Sequence, residues 1–131
     1  MRSILLVDDD EDILFFFKAM LEDEGYRVET CVTGREALEK AGASSYDVMF
    51  VDYMLTDFKG DVLADELKRL NGSAVIFYLT GLRLSKEELM KTDAVSGVLV
   101  KPVTSDSMLA MVRRALDAQA TDNEPITVDK S

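Results

Sequence analysis

Five times along the chain, a short and almost wholly apolar run is followed by a stretch whose apolar residues recur at helical spacing, and this alternation restricts the fold more than any other feature. The first run is Ser3 to Val7. From Asp10 to Glu24 the spacing of Ile13, Phe16 or Phe17, and Met20 or Leu21 is helical, and Gly25 supplies a stop. Tyr26 to Val32 alternates as a half-covered strand does, and a short helix from Gly34 to Lys40 ends near Gly42. Asp47 to Val51, DVMFV, is the next apolar run. Lys59 to Leu70 is amphipathic through Val62, Leu63, Leu67 and Leu70 and stops before Asn71-Gly72. Ala74 to Leu79 is apolar again, Leu84 to Met90 is a polar helix of weaker signal, Gly97 to Val100 is a brief strand, and Ser105 to Ala118 is a final helix. Strands apolar on both faces, separated by helices, predict an α/β fold with a parallel sheet covered on both sides. Ligands of such sheets bind beyond the carboxyl ends of the strands, where strand order reverses. Residues 1–118 therefore read as one domain, and residues 119–131, QATDNEPITVDKS, as a flexible polar tail or linker.

Composition removes several classes of function. The chain has 131 residues, enough for one well-buried core and too few for two ordinary domains. A net charge of −10 argues against direct contact with nucleic acid, whose backbone calls for the opposite sign. No apolar run approaches the roughly 20 residues that span a bilayer, and the amino-terminal MRSILLVDDD is expected to be neither signal peptide nor anchor. Cys31 is the only cysteine, so no internal disulfide forms and a reducing, cytoplasmic setting is the simpler expectation. With no histidine in the chain, His-based general-base catalysis, catalytic triads and His-ligated zinc are excluded.

The strand ends carry the chemistry. LLVDDDED, Leu5 to Asp12, sets an apolar run directly against five acidic residues. Such crowding is costly unless a cation, a raised pKa or open solvent relieves it. Asp10, Glu11 and Asp12 are accounted for as the acidic start of a helix; Asp8 and Asp9 stand at the strand end itself. Asp52 follows the third run, Thr80 the fourth and Lys101 the fifth. If these strands are neighbours, one sheet edge holds three carboxylates, a hydroxyl and an ammonium. That set suits a hard divalent cation held by oxygen ligands beside an anion-binding pair. Thr80 also reads as a simple helix N-cap.

In this order and at this spacing, the acidic pair Asp8-Asp9, the strand-end acid in D-x4-D form (Asp47, Asp52), Thr80 and Lys101-Pro102 resemble the receiver domain of bacterial two-component response regulators, over Arg2 to about Ala118. The resemblance implies a (βα)5 flavodoxin-like sheet in the order 2-1-3-4-5, with Asp52 as phosphoacceptor for a partner kinase's phosphohistidine. It implies Mg²⁺ held directly by Asp9, Asp52 and the Met54 backbone carbonyl, with Asp8 acting through water. Thr80 and Lys101 bind phosphoryl oxygens, Gly81 leaves room for the group, and the Lys101-Pro102 bond is cis. Expected partners are a histidine kinase or phosphotransfer protein and a downstream protein docking around the fourth helix, fifth strand and fifth helix. The expected state is a monomer or weak homodimer with no enzymatic turnover beyond its own phosphorylation and dephosphorylation.

Four departures from the family pattern carry information. Thr56 stands where proline is frequent, which softens the loop LTDFKG, while Gly60 is expected to permit its turn. Val98 takes the position of the switch aromatic; a β-branched side chain has no ring to swing, so any signal travels through the loop and helix after Thr80. Met54 and Leu82, two residues after Asp52 and Thr80, offer no proton acceptor to a hydrolytic water, which predicts slow self-dephosphorylation. The run Phe15-Phe16-Phe17 is expected in the core more than in a ligand site, with one ring facing outward or covering a neighbouring element, and Met111 is either core or an exposed mark of a partner surface. Three other readings compete. A haloacid dehalogenase-type phosphohydrolase needs a second acid where Met54 stands, a flavodoxin needs a phosphate loop that DDDED repels, and an unphosphorylated docking module leaves the intact acidic set without a use.

Overall fold

The computed structural model describes the backbone of residues 1–122 and the side chains of residues 1–118. Its elements alternate throughout: β1 (Ser3–Val7), α1 (Glu11–Asp23), β2 (Arg27–Cys31), α2 (Gly34–Ala43), β3 (Val48–Asp52), α3 (Gly60–Leu70), β4 (Val75–Thr80), α4 (Lys86–Leu89), β5 (Val95–Val100) and α5 (Ser105–Asp122). All strand pairs are parallel, in the order β2-β1-β3-β4-β5, the flavodoxin-like arrangement. Strand order reverses at β1, between the first crossover to β2 and the next to β3.

Period-two alternation distributes each strand's side chains between two cores. Ile4, Leu6, Val48, Phe50, Phe77 and Leu79 face α1 and α5, meeting Leu14, Phe17, Leu21, Met108 and Val112. Leu5, Val7, Met49, Val51, Ile76 and Tyr78 face the opposite layer, meeting Ala37 and Ala41 of α2 and Leu63, Ala64 and Leu67 of α3. The helix starts are chemically marked. Asp10 caps α1 through the amides of Asp12 and Ile13, Thr33 caps α2, and Ser85 with Glu88 forms a reciprocal capping box on α4. Gly25, at φ +97°, ends α1 as expected.

Several expectations need correcting. Two of the three consecutive rings face outward, not one: Phe15 is 78% and Phe16 54% exposed, while only Phe17 is buried. A helical face admits one of three successive residues to the core, and Phe17 is the one in phase with Leu14 and Leu21. Met111 is half-buried, its Cε lying over Gly97. The weak helix shrinks to the single turn Lys86–Leu89. β5 begins at Val95, two residues before the expected start, because pairing with β4 and not local apolarity sets its limit. α5 runs to Asp122, past the expected end at Ala118, since Ala118, Gln119 and Ala120 are good helix formers despite their polar setting. The remainder of the expected tail lies outside the described residues. Among the described residues, no helix is long and apolar enough to cross a membrane.

Candidate functional site

Parallel pairing brings the strand ends to one level. Val7 pairs with Val51, Asp52 with Leu79 and Thr80 with Val100. The ladder runs one residue further at three places: the amides of Asp8, Tyr53 and Lys101 donate to the carbonyls of Cys31, Leu79 and Thr80 at 3.0, 2.8 and 2.7 Å. Residues 44 to 93 positions apart are thereby held on one stiff edge, and alternation turns Asp8, Asp52 and Lys101 toward the α1/α5 side.

Asp8, Asp9 and Asp52 each offer a carboxylate oxygen, and these oxygens all lie within 4.8 Å of one another. Asp8 is fully buried, Asp52 is 4% exposed, and Asp9 faces solvent. The Lys101 ammonium reaches between the two buried acids, 2.9 Å from Asp8 Oδ2 and 3.3 Å from Asp52 Oδ2. The backbone amide of Asp10 donates to Asp8 Oδ1 at 2.9 Å, and that of Met54 to Asp52 Oδ1 at 3.0 Å. Burial pushes the Asp8 carboxyl above its ordinary range, and Asp52 adds to this, against the opposing pull of the Asp10 amide and Lys101. Burial draws Lys101 downward, but the two acids outweigh it and hold the ammonium above its usual value.

Three carboxylates against one ammonium leave two negative charges in excess when all are ionised. Asp8 Oδ2 meets Lys101 as an ion pair without an aligned hydrogen bond, so a buried oxygen keeps lone-pair capacity facing the cluster. Oxygen-only donors, converging and doubly negative, fit a hard divalent ion such as Mg²⁺.

Thr80 is fully buried at the end of β4, and its hydroxyl accepts from the Leu82 amide at 3.0 Å. It is not a helix cap; that role on α4 belongs to Ser85. At Gly81 an added Cβ would meet no atom within 4 Å, so the space beside Thr80 is open. Met54 and Leu82 are 57% and 55% exposed at the rim. The Lys101-Pro102 bond is cis, as expected.

The loop from Tyr53 to Lys59 holds residues that the sequence reading passed over. Asp57 accepts from the amides of Gly34 and Arg35, both at 3.0 Å, fastening the loop after Asp52 to the start of α2. Burial, the largest single influence, raises this carboxyl, but the Arg35 and Gly34 amides together with the Arg35 charge prevail and hold it below the ordinary range. The loop that Thr56 was expected to soften is therefore pinned at its next residue. Gly60 has no positive φ; its value is close approach, since a Cβ there would come within 2.6 Å of Tyr53 Cδ1. A signal for one missed residue was present: S-x-x-E at Ser85–Glu88 is a capping-box pattern.

Comparison with known proteins agrees with this geometry. The family model for the response regulator receiver domain matches residues 4–113. Response regulator ArlR of Staphylococcus saprophyticus is 28% identical over 99% of this chain and 61% of its own length, so the chain spans about three fifths of that relative. A CheY-like receiver domain from Methanospirillum hungatei superposes with a TM-score of 0.88 at 29% identity, covering 94% of this chain and 99% of that one. Response regulator TrrA of Thermotoga maritima, solved in complex with Mg²⁺-BeF, matches with a TM-score of 0.78 at 29% identity over 88% of this chain and 99% of its own. The chain belongs to the response regulator receiver domain family, and it is a receiver domain of the two-component type.

Proposed function

We propose that this chain is a phosphorylation-dependent signalling switch in which Asp52 takes a phosphoryl group from the phosphohistidine of a histidine kinase or phosphotransfer protein. The observation that carries the reading is the bridging of Asp8 and Asp52 by Lys101 at 2.9 and 3.3 Å, with Asp9 in the same cluster. Asp9, Asp52 and the Met54 backbone carbonyl would hold Mg²⁺ directly, and Asp8 through water. Bound there, the cation supplies positive charge toward the phosphoryl oxygens as they spread their charge in the transition state.

The chain's own residues do the rest. An Asp52 carboxylate oxygen forms the new O–P bond as the donor's N–P bond breaks, and that electron pair stays on the leaving imidazole. Lys101 releases Asp52 to pair with a phosphoryl oxygen, and Thr80 turns its hydroxyl to donate to another. The sheet edge fixes all three before the donor arrives, so little reorganisation accompanies transfer. Transfer is stoichiometric, one group per chain, with no turnover of a separate substrate. The phosphorylated form then presents an altered α4–β5–α5 face to a downstream protein.

The donor's approach has a structural counterpart. A cleft of about 280 Å³ lined by Ile13, Phe16, Phe17, Pro102 and Val103 shares Lys101 with the site, and exposed Phe16 forms its wall. An apolar side chain beside the donor histidine would seat there. Phe16→Ala should slow transfer from a protein donor while leaving acetyl phosphate reactivity unchanged. With Met54 and Leu82 offering no acceptor to water, the phosphorylated state should persist for minutes or longer in Mg²⁺ buffer; a lifetime of seconds contradicts that part.

Incubation with Mg²⁺ and acetyl phosphate tests the whole reading. One phosphoryl group should appear on Asp52 by peptide mapping, absent in Asp52→Asn and in excess chelator. Phosphoryl gain at another residue, or none, refutes it.

A further inference from the structure

Asp52 and Tyr53 are neighbours in sequence that face opposite layers of the molecule. Alternation sends Asp52 to the α1/α5 side and Tyr53 to the α3/α4 side. There the Tyr53 ring meets buried Tyr78 edge-on, with centroids 5.0 Å apart at 76°. Its other flank is closed by Gly60, whose missing Cβ is what admits the ring. The Tyr53 hydroxyl donates to Glu88 Oε2 at 3.4 Å. Glu88 Oε1 meanwhile accepts from the Ser85 amide at 3.3 Å, completing the capping box of α4. The residue beside the phosphoacceptor is thus bonded to the carboxylate that caps α4, a helix of one turn with no buried residue.

We propose that the Tyr53–Glu88 bond is a latch holding α4 in its unphosphorylated position, and that its release carries the state of Asp52 to the α4 face. The inference rests on the phosphoacceptor reading above. Before phosphorylation the Met54 amide is fixed on Asp52 Oδ1 and the Tyr53 amide on the Leu79 carbonyl. Phosphorylating Asp52 to the acyl phosphate places new bulk and charge where the Met54 amide now points, and the peptide between Tyr53 and Met54 must re-seat. Wedged between Gly60 and Tyr78, the ring has little freedom to compensate. The contact that gives is the longest of the set, the bond to Glu88 at the outer limit of hydrogen-bond length. Thr80 acts in parallel: turning its hydroxyl toward a phosphoryl oxygen alters the bond it accepts from Leu82, at the entry to the same segment. With Val98 unable to swing a ring inward, this route needs no aromatic on β5.

A weak latch is what a switch requires, since the signal need only shift an equilibrium between two positions. The test uses the full chain and ¹⁵N NMR, with Mg²⁺ and beryllofluoride as the phosphoryl mimic. In Tyr53→Phe without the mimic, the Leu89 and Met90 amide resonances should already lie about a third or more of the way toward their wild-type beryllofluoride positions. Their exchange with solvent should be about threefold faster or more. Phenylalanine keeps the ring, so packing against Gly60 and Tyr78 is retained. Glu88→Gln keeps a capping oxygen but drops the charge, and should move the same resonances in the same direction by less. Tyr53→Phe resonances at wild-type positions, or opposite movement in the two variants, overturns the latch. A wild-type protein whose Met54, Thr80 and Lys101 amides ignore beryllofluoride overturns instead the phosphoacceptor reading on which it rests.

Discussion

β3 and β5 belong to the same parallel ladder, yet they are built for different work. Every residue of β3 is buried, and Phe50 stacks on Phe77 with centroids 5.3 Å apart. In β5 no residue is buried, Gly97 contributes no side chain, the pairing with β4 is irregular at Ile76/Phe77, and the preceding helix α4 is a single turn. The difference separates chemistry from response. Asp52 closes a fully buried strand, where the proposed transfer would find its geometry already held. The face proposed to change sits where few buried contacts oppose movement.

This contrast can be broken by mutation. Phe50→Ala should cost about 3–5 kcal/mol of stability, the range for emptying a buried aromatic site, whereas Val98→Ala on half-buried β5 should cost about 1 kcal/mol. Urea unfolding of both variants checks this, and equal losses would erase the distinction. Next in size is the cation. Mg²⁺ at a hundredfold excess over its Kd should stabilise the fold by about 2.7 kcal/mol. Asp9→Asn should abolish that gain in thermal unfolding while moving the metal-free protein by less than about 0.5 kcal/mol, because Asp9 is exposed. Metal stabilisation that survives Asp9→Asn would place the ion elsewhere.

The smallest effect concerns how β3's loop is fastened. Asp57→Ala should cost about 1 kcal/mol, as for a lost helix cap. Its carboxyl is held below the ordinary range by the Arg35 and Gly34 amides against the upward push of burial. A group depressed in the folded state stabilises fully above its unfolded pKa of about 3.9 and loses that contribution as pH falls through the lower folded value. The gap between wild type and variant in urea midpoints should therefore be full at neutral pH and close below about pH 4. A gap that widens in acid would contradict the assignment.

The parts of the fold legible in the sequence were those set by burial. Runs such as DVMFV are apolar because both faces are covered, and they announce a parallel sheet; the register of that sheet then makes Asp8, Asp52, Thr80 and Lys101 neighbours. Periodicity speaks less clearly where a helix is short or an edge strand half-covered, which is why the expected α4 is too long and the expected β5 starts two residues late. Phe15 and Phe16 show the converse error, since apolarity alone does not say that a ring is inside. Contacts that depend on tertiary approach were not legible at all. Nothing in the order of residues says that Asp57 caps a helix 22 positions earlier, or that Tyr53 reaches Glu88 across 35.

A crystal structure of this chain grown with Mg²⁺ and beryllofluoride addresses the central claim most directly. It should show beryllium bonded to an Asp52 carboxylate oxygen, Lys101 and Thr80 on the fluorines, and one cation contacting Asp9, Asp52 and the Met54 carbonyl. Beryllofluoride bound away from Asp52, or a cation that ignores the acidic pair at the end of β1, would contradict it.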